Sequence, residues 1–247
     1  VYESLKRSFP HLKITVMVNP IQAGILEDNP HLHKIILMRR RRFWRAIRQS
    51  RREKFDLAIT LNKKFSATAT FFTLCANATT NAGYRHSQSS WGYNIQLPVD
   101  GPPCHEIENN LALLKHIGVP QIVGQPRIYF NDREKQKITG IINSSKKTRP
   151  LILVKTGTRI PEWGWQWEKF QVVIEHIIKN DIADIWLING PGEEARLESH
   201  ISKMEYKPRL LPLVKVKELA LLMQQCDLLF CNHTGIMHLA SAVEKPA

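Results

Sequence analysis

Short apolar runs alternate with stretches of helical periodicity along most of this chain. Runs rich in Ile, Leu and Val at 14–18, 35–38, 57–61, 151–155, 185–188, 209–213 and 228–231 predict strands. Between most of them, apolar positions recur every three or four residues. That spacing predicts helices over 43–52, 67–76, 107–117, 168–179, 195–204 and 216–226, and residues 1–7 also carry an amphipathic helical pattern. Strands alternating with helices imply parallel sheets covered by helices on both faces. A polar stretch at 143–150 breaks the pattern near the middle. The expectation is an α/β protein of two Rossmann-like domains facing each other, over residues 1–130 and 131–247.

The most pointed pattern lies near the end. The run 228–231 is followed at once by Asn232-His233-Thr234-Gly235, and then Ile236, Met237, Leu239, Ala240 and Val243 recur at helical spacing. A strand that turns directly into a helix presents unpaired backbone N–H groups and the positive end of the helix dipole, which suits a phosphate. In open α/β sheets ligands sit above the carboxyl ends of the strands, and two further strand ends qualify. Lys155-Thr156-Gly157-Thr158-Arg159 combines hydroxyls, a glycine and cations, all usable by a diphosphate. Asn189-Gly190-Pro191-Gly192-Glu193-Glu194 allows a tight turn, with Glu193 or Glu194 able to accept hydrogen bonds from ribose hydroxyls. Each loop alone also reads as an ordinary polar turn, and His238 also reads as a packed histidine. Together the three suggest a nucleotide diphosphate site.

Composition adds a second theme. The 247 residues are 43 % apolar and 23 % charged, compatible with a folded core, and the net charge is +13 from 35 basic and 22 acidic residues. Much of the excess is concentrated in Arg39, Arg40, Arg41, Arg42, Arg45, Arg48, Arg51, Arg52 and Lys54, with Phe43, Trp44 and Ile47 interleaved. This segment reads as a solvated helix face, as a surface for anionic lipid or substrate phosphates, or as a nucleic-acid patch. It carries no known nucleic-acid reading motif. No apolar run is long enough for a bilayer span. The four cysteines lack CxxC spacing, which points to a reducing compartment without a disulfide framework. The chain starts mid-helix without methionine and stops where another strand is due, so it reads as a fragment.

The ordered motifs resemble glycosyltransferase family 9, the ADP-heptose:lipopolysaccharide heptosyltransferases of GT-B fold. Residues 1–10 resemble the family's "ALKRAFP" helix, and 48–61, RQSRREKFDLAITL, its "LRRRRFDLVIDL". Gly83-Tyr84-Arg85 sits where the family has "IGF", and 105–118, HEIENNLALLKHIG, resembles "HEVERNLALLAALG". Residues 157–170 keep the spacing of "GASWPEKRWPPEKF", retaining Trp165, Glu168, Lys169 and Phe170. The turn 189–194 matches "GGPxE", and 213–246 follows "ELAALLARADLVVGNDTGPMHLAAALGTP".

The resemblance implies inverting transfer of a heptose or related sugar from a nucleotide-diphospho-sugar, ADP-heptose first among them. The acceptor would be the phosphorylated lipopolysaccharide inner core, at the cytoplasmic face of the inner membrane, with peripheral attachment to an anionic surface. It implies no cofactor, no metal and no nucleic-acid partner. The second domain would bind donor through Lys155, Thr156, Gly157, Thr158, Arg159, Gly190, Glu193, Glu194, His233, Thr234, Gly235 and His238. The first would bind acceptor, with Arg85 and His105 as candidates. Three departures stand out. The aspartate of "NDTG" is His233, the lysine of "EKRWP" is Trp163, and the family's Gly-Asp loop with the base it implies falls before Val1. The fragment is therefore expected to be inactive alone, and a catalytically silent relative that binds nucleotide, glycan or a partner is the alternative.

Overall fold

The computed structural model describes residues 1–88, 90–98, 105–120, 124–143, 149–158 and 160–247. The chain forms two compact units: Val1–Ala23 with Asn29–Gly124, and Gly24–Asp28 with Gln125–Ala247. In order the elements are α1 (Tyr2–Ser8), β1 (Thr15–Val18), α2 (Pro20–Leu26), β2 (Lys34–Leu37), α3 (Phe43–Arg52), β3 (Leu57–Ile59), α4 (Ala67–Cys75), β4 (Thr80–Tyr84), β5 (Ile95–Leu97) and α5 (Glu106–His116). Then come α6 (Asp132–Asn143), β6 (Leu151–Lys155), α7 (Trp167–Lys179), β7 (Asp184–Leu187), α8 (Glu194–Ser202), β8 (Arg209–Leu210), α9 (Val216–Met223), β9 (Leu228–Cys231) and α10 (Ile236–Ala242).

Every described ladder is parallel. β1 pairs with β2, and β3, β4 and β5 form a second sheet in the first unit. In the second unit the order is β8-β7-β6-β9, with Leu153 of β6 opposite Trp186 on one side and Leu229 on the other. β6 is apolar on both faces because both faces are covered. Leu151 and Leu153 point into a cluster with Leu222, Met223 and Ile138, whereas Val154 points into one with Phe170, Ile174 and Leu187. The two-residue period of a strand divides one short run between two cores.

α9 is buried from Lys217 to Met223, including the Lys217 ammonium at 2 % exposure. A buried charge persists only when paired and hydrogen-bonded. Nζ of Lys217 donates to Asp28 Oδ2 at 2.5 Å and Glu27 O at 3.2 Å, and lies 3.1 Å from Glu134 Oε2. Three partners match its three donors. Asp28 adopts φ 62°, a left-handed conformation that aspartate tolerates, and Asn131 Nδ2 also donates to its carboxylate at 3.0 Å. These contacts anchor the Gly24–Asp28 segment in the second unit.

Four elements escape the periodicity reading. α6 is mostly polar, yet Ile138, Ile141 and Ile142 give it one narrow apolar stripe against the core. β4 and β5 lack a long apolar run. In β4, Ala82 is fully buried and Gly83 is small because a Cβ there would lie 3.0 Å from the Tyr93 ring. α2 carries an internal glycine and starts at a proline, which the pattern alone reads as loop. β3 and β8 stop short of the expected 61 and 213.

Removing Lys217 should expose the cost of the pairing it provides. Lys217→Ala leaves Asp28 and Glu134 facing an uncompensated site and should lower unfolding free energy by about 3 kcal/mol, measured by chemical denaturation. The hydrogen bonds from Lys217 and Asn131 hold the Asp28 carboxyl below its ordinary value. That contribution is present above the unfolded-state value and is lost as pH falls through the lower folded value. The denaturation midpoint should therefore fall on acidification below about pH 4, and fall less steeply in Asp28→Asn.

Candidate functional site

The strand order β7-β6-β9 makes the loops after these three strands neighbours at one sheet end. A single buried carboxamide ties two of them together. Asn232, directly after β9, is 6 % exposed. Its Nδ2 donates to Thr156 O at 2.6 Å and to Trp165 O at 3.1 Å, and its Oδ1 accepts from Trp165 N–H at 2.8 Å. The loop after β6 and the segment entering α7 are thus clamped on the turn after β9. The approach is close: a Cβ on Gly164 would sit 2.8 Å from Asn232 Nδ2. Asn232 lay inside the expected turn without being singled out. Its signal was a polar residue at the end of an apolar strand, where a buried amide must find backbone partners.

The loops after β6 and β7 are joined by an ion pair between Lys155 Nζ and Glu193 Oε2, with side chains 13 % and 24 % exposed. Arg196 Nη2 lies 3.7 Å from the other carboxylate oxygen. Two glycines make room for the pair. A Cβ on Gly190 would come within 2.5 Å of Glu193 Oε2 and 2.8 Å of Lys155 Nζ, and one on Gly157 would collide with Glu193 Oε1. Gly192, at φ 78°, supplies the left-handed turn that brings Glu193 back over the sheet. Glu194 is instead exposed at the start of α8. Asn189 is buried beside this loop, and its Oδ1 has no hydrogen-bond partner among the described residues.

The turn after β9 forms the third wall. The single Thr158 hydroxyl proton is within reach of two carbonyls, Ile160 O at 3.3 Å and His233 O at 3.4 Å. The exposed His233 ring meets Trp163 edge-to-face, with centroids 6.2 Å apart. The two positions that depart from the family motif are thus in mutual contact. Thr234 Oγ1 accepts from Ile236 N–H at 3.4 Å, and Gly235 precedes the first residue of α10. His238 is exposed rather than packed, and it lines a groove of about 490 Å³ with His233, Met237 and Ser241. Arg159 lies outside the described residues.

The first unit carries a separate groove, of about 1130 Å³, beyond the carboxyl ends of β1 and β2. Arg39, Arg41 and Arg42 line it together with Met38, Phe43 and Phe71. Among the described residues no carboxylate lines it, so it combines positive charge with an apolar floor. Arg85 is exposed after β4, and its backbone N–H donates to Leu97 O at 2.7 Å. His105 caps α5: its Nδ1 accepts from Ile107 N–H at 3.2 Å, while Glu108 Oε2 accepts from His105 N–H at 3.1 Å. This reciprocal arrangement is a capping box.

Comparison with known proteins fits this geometry. The profile of glycosyltransferase family 9 (heptosyltransferase) matches residues 40–247. The Escherichia coli protein "Lipopolysaccharide heptosyltransferase 3" is 22 % identical over 262 residues, covering 100 % of this chain and 76 % of that protein. The crystal structure of a family 9 glycosyl transferase from Veillonella parvula DSM 2008 superposes with a TM-score of 0.86 at 21 % identity, covering 99 % of this chain and 73 % of that one. The E. coli heptosyltransferase WaaC with ADP-2-deoxy-2-fluoro heptose gives 0.76 at 17 % identity, over 99 % and 80 % of the two chains. These likenesses show the GT-B fold. With the family profile covering most of its length, the chain belongs to glycosyltransferase family 9.

Proposed function

We propose that the protein transfers a heptose or a related sugar from a nucleotide-diphospho-sugar to the lipopolysaccharide inner core, with inversion at the transferred carbon. The observation that carries this reading is the convergence of the loops after β6, β7 and β9, fastened by Asn232 and by the Lys155–Glu193 pair. ADP-heptose is the donor this reading favours, because one similar structure holds ADP-2-deoxy-2-fluoro heptose and the matched relative is a lipopolysaccharide heptosyltransferase.

In this reading the hydroxyls of Thr156, Thr158 and Thr234 and the backbone at Gly157 and Gly235 face the diphosphate. Lys155 supplies a cation that stabilises charge developing on the departing diphosphate. Glu193 accepts from ribose hydroxyls, and Glu194 is the reserve acceptor at the helix start. His233 and His238 border the transferred sugar. A base deprotonates the acceptor hydroxyl so that it attacks opposite the leaving diphosphate. The Arg39–Arg41–Arg42 groove takes phosphate groups of the acceptor, with Arg85 and His105 nearer the other strand ends. Since that acceptor is lipid-linked, the protein works peripherally on the cytoplasmic side of the inner membrane.

The contact between Trp163 and His233 favours a second reading, a catalytically silent relative that binds nucleotide or glycan. An aromatic pair stands where the resemblance implies a cation and a carboxylate. The deciding experiment is calorimetric titration and sugar transfer with the full-length protein. Saturable binding of ADP-heptose and transfer to a heptose-deficient core acceptor are expected. Binding without transfer selects the silent reading, and absence of binding to any nucleotide-sugar overturns both.

Three variants should separate the parts of the site. Lys155→Met should weaken donor binding by about 10- to 100-fold, the usual loss when a charged hydrogen bond is removed. Gly190→Ala keeps both charges but displaces them, and should weaken donor binding while acceptor affinity stays unchanged. Asn232→Ala strands the backbone groups of Thr156 and Trp165, and should lower unfolding free energy by about 2 kcal/mol in addition to impairing donor binding.

A further inference from the structure

The outward face of α3 is not used by the donor or acceptor reading, and its composition is costly for a helix. At ~100° per residue, Trp44, Arg45, Arg48, Arg51 and Arg52 fall within one stripe about 120° wide. Ala46, Ile47 and Ser50 are buried on the opposite side. Trp44 is 67 % exposed, and Arg48, Arg51 and Arg52 line a shallow groove with it. Arg45–Arg48, Arg48–Arg51 and Arg48–Arg52 are like-charge neighbours three or four residues apart, which destabilises an isolated helix. Arg45 also stands in the first turn, where no acidic residue offsets the positive end of the dipole. The adjacent carboxylate, Glu53, is taken by Lys34, whose hydrogen bond holds the Glu53 carboxyl below its ordinary value. None of the four arginines is paired with a carboxylate among the described residues.

We propose that this stripe docks the protein on an anionic lipid bilayer, with α3 lying along the surface. The partner rests on the lipid-linked acceptor read above. An indole within a ring of guanidinium groups matches the headgroup zone: the ring enters the apolar–polar boundary while the arginines pair with lipid phosphates. A single tryptophan gives no row of stacking platforms for successive bases, so nucleic acid fits the face less well. No helix among the described residues is long and apolar enough to cross a membrane.

The test is co-sedimentation of the full-length protein with vesicles of phosphatidylcholine containing about 30 % phosphatidylglycerol, against pure phosphatidylcholine. Binding to the anionic vesicles alone, lost as salt rises toward ~0.5 M, is expected. Trp44→Ala should weaken it several-fold, and Arg48→Gln and Arg51→Gln by about fivefold each, with unchanged thermal melting. Equal binding to neutral vesicles, variants that bind like the unaltered protein, or displacement from vesicles by an equimolar DNA duplex would overturn the proposal. Sugar transfer to a soluble acceptor, measured in parallel, keeps the two readings apart. Transfer without vesicle binding sinks the docking face alone, and vesicle binding without transfer sinks the transferase reading alone.

Discussion

The site proposed for the second unit rests first on the Asn232 carboxamide. Loops at the ends of parallel strands have no ladder to hold them, so their geometry must come from side chains. One buried amide supplies three hydrogen bonds and fastens both the loop after β6 and the segment before α7 to the turn after β9. An amide suits this place better than a carboxylate, because it donates and accepts at once. With the backbone fixed, the Thr158 hydroxyl and the Trp163 and His233 rings have defined surroundings.

Charge is handled differently in the two units. In the second, the lysines packed against the sheet and its helices are matched: Lys217 by Asp28 and Glu134, Lys155 by Glu193, Lys137 by Glu218. Burial pushes the Glu218 carboxyl up, but the hydrogen bonds from Lys137 and from the Lys215 backbone hold it below its ordinary value. In the first unit the arginine run is left largely unmatched at the surface. Matched charge is local architecture, whereas unmatched charge is an electrostatic field that reaches solution.

The architecture was legible wherever apolar runs were long. The strands at β6, β7 and β9 emerge from the sequence because each is apolar on both faces. β4 does not, because its buried positions are an alanine, a glycine fitted under Tyr93 and a single tyrosine, and such a run leaves no periodic trace. α6 fails for a related reason, since three isoleucines on one side are diluted by charged residues on the other. For the site, motif spacing located the three loops and the phosphate-compatible residues. It did not separate Glu193 from Glu194, because only the left-handed turn at Gly192 decides which of them folds back over the sheet. Nor did spacing distinguish His105 as a ligand group from His105 as a helix cap.

The cradle around Lys155 and Glu193 has an evolutionary side. Gly157 and Gly190 are small because the ion pair fills the space their side chains would need. The four positions are coupled: a methyl group on either glycine displaces the tips of the paired side chains, and a lineage that shortened Glu193 would release both glycines to accept side chains. Related sequences should therefore change at positions 155, 157, 190 and 193 as a set. That coordinated variation would mark how far through the family this chain's own way of placing a lysine at the sheet end has spread.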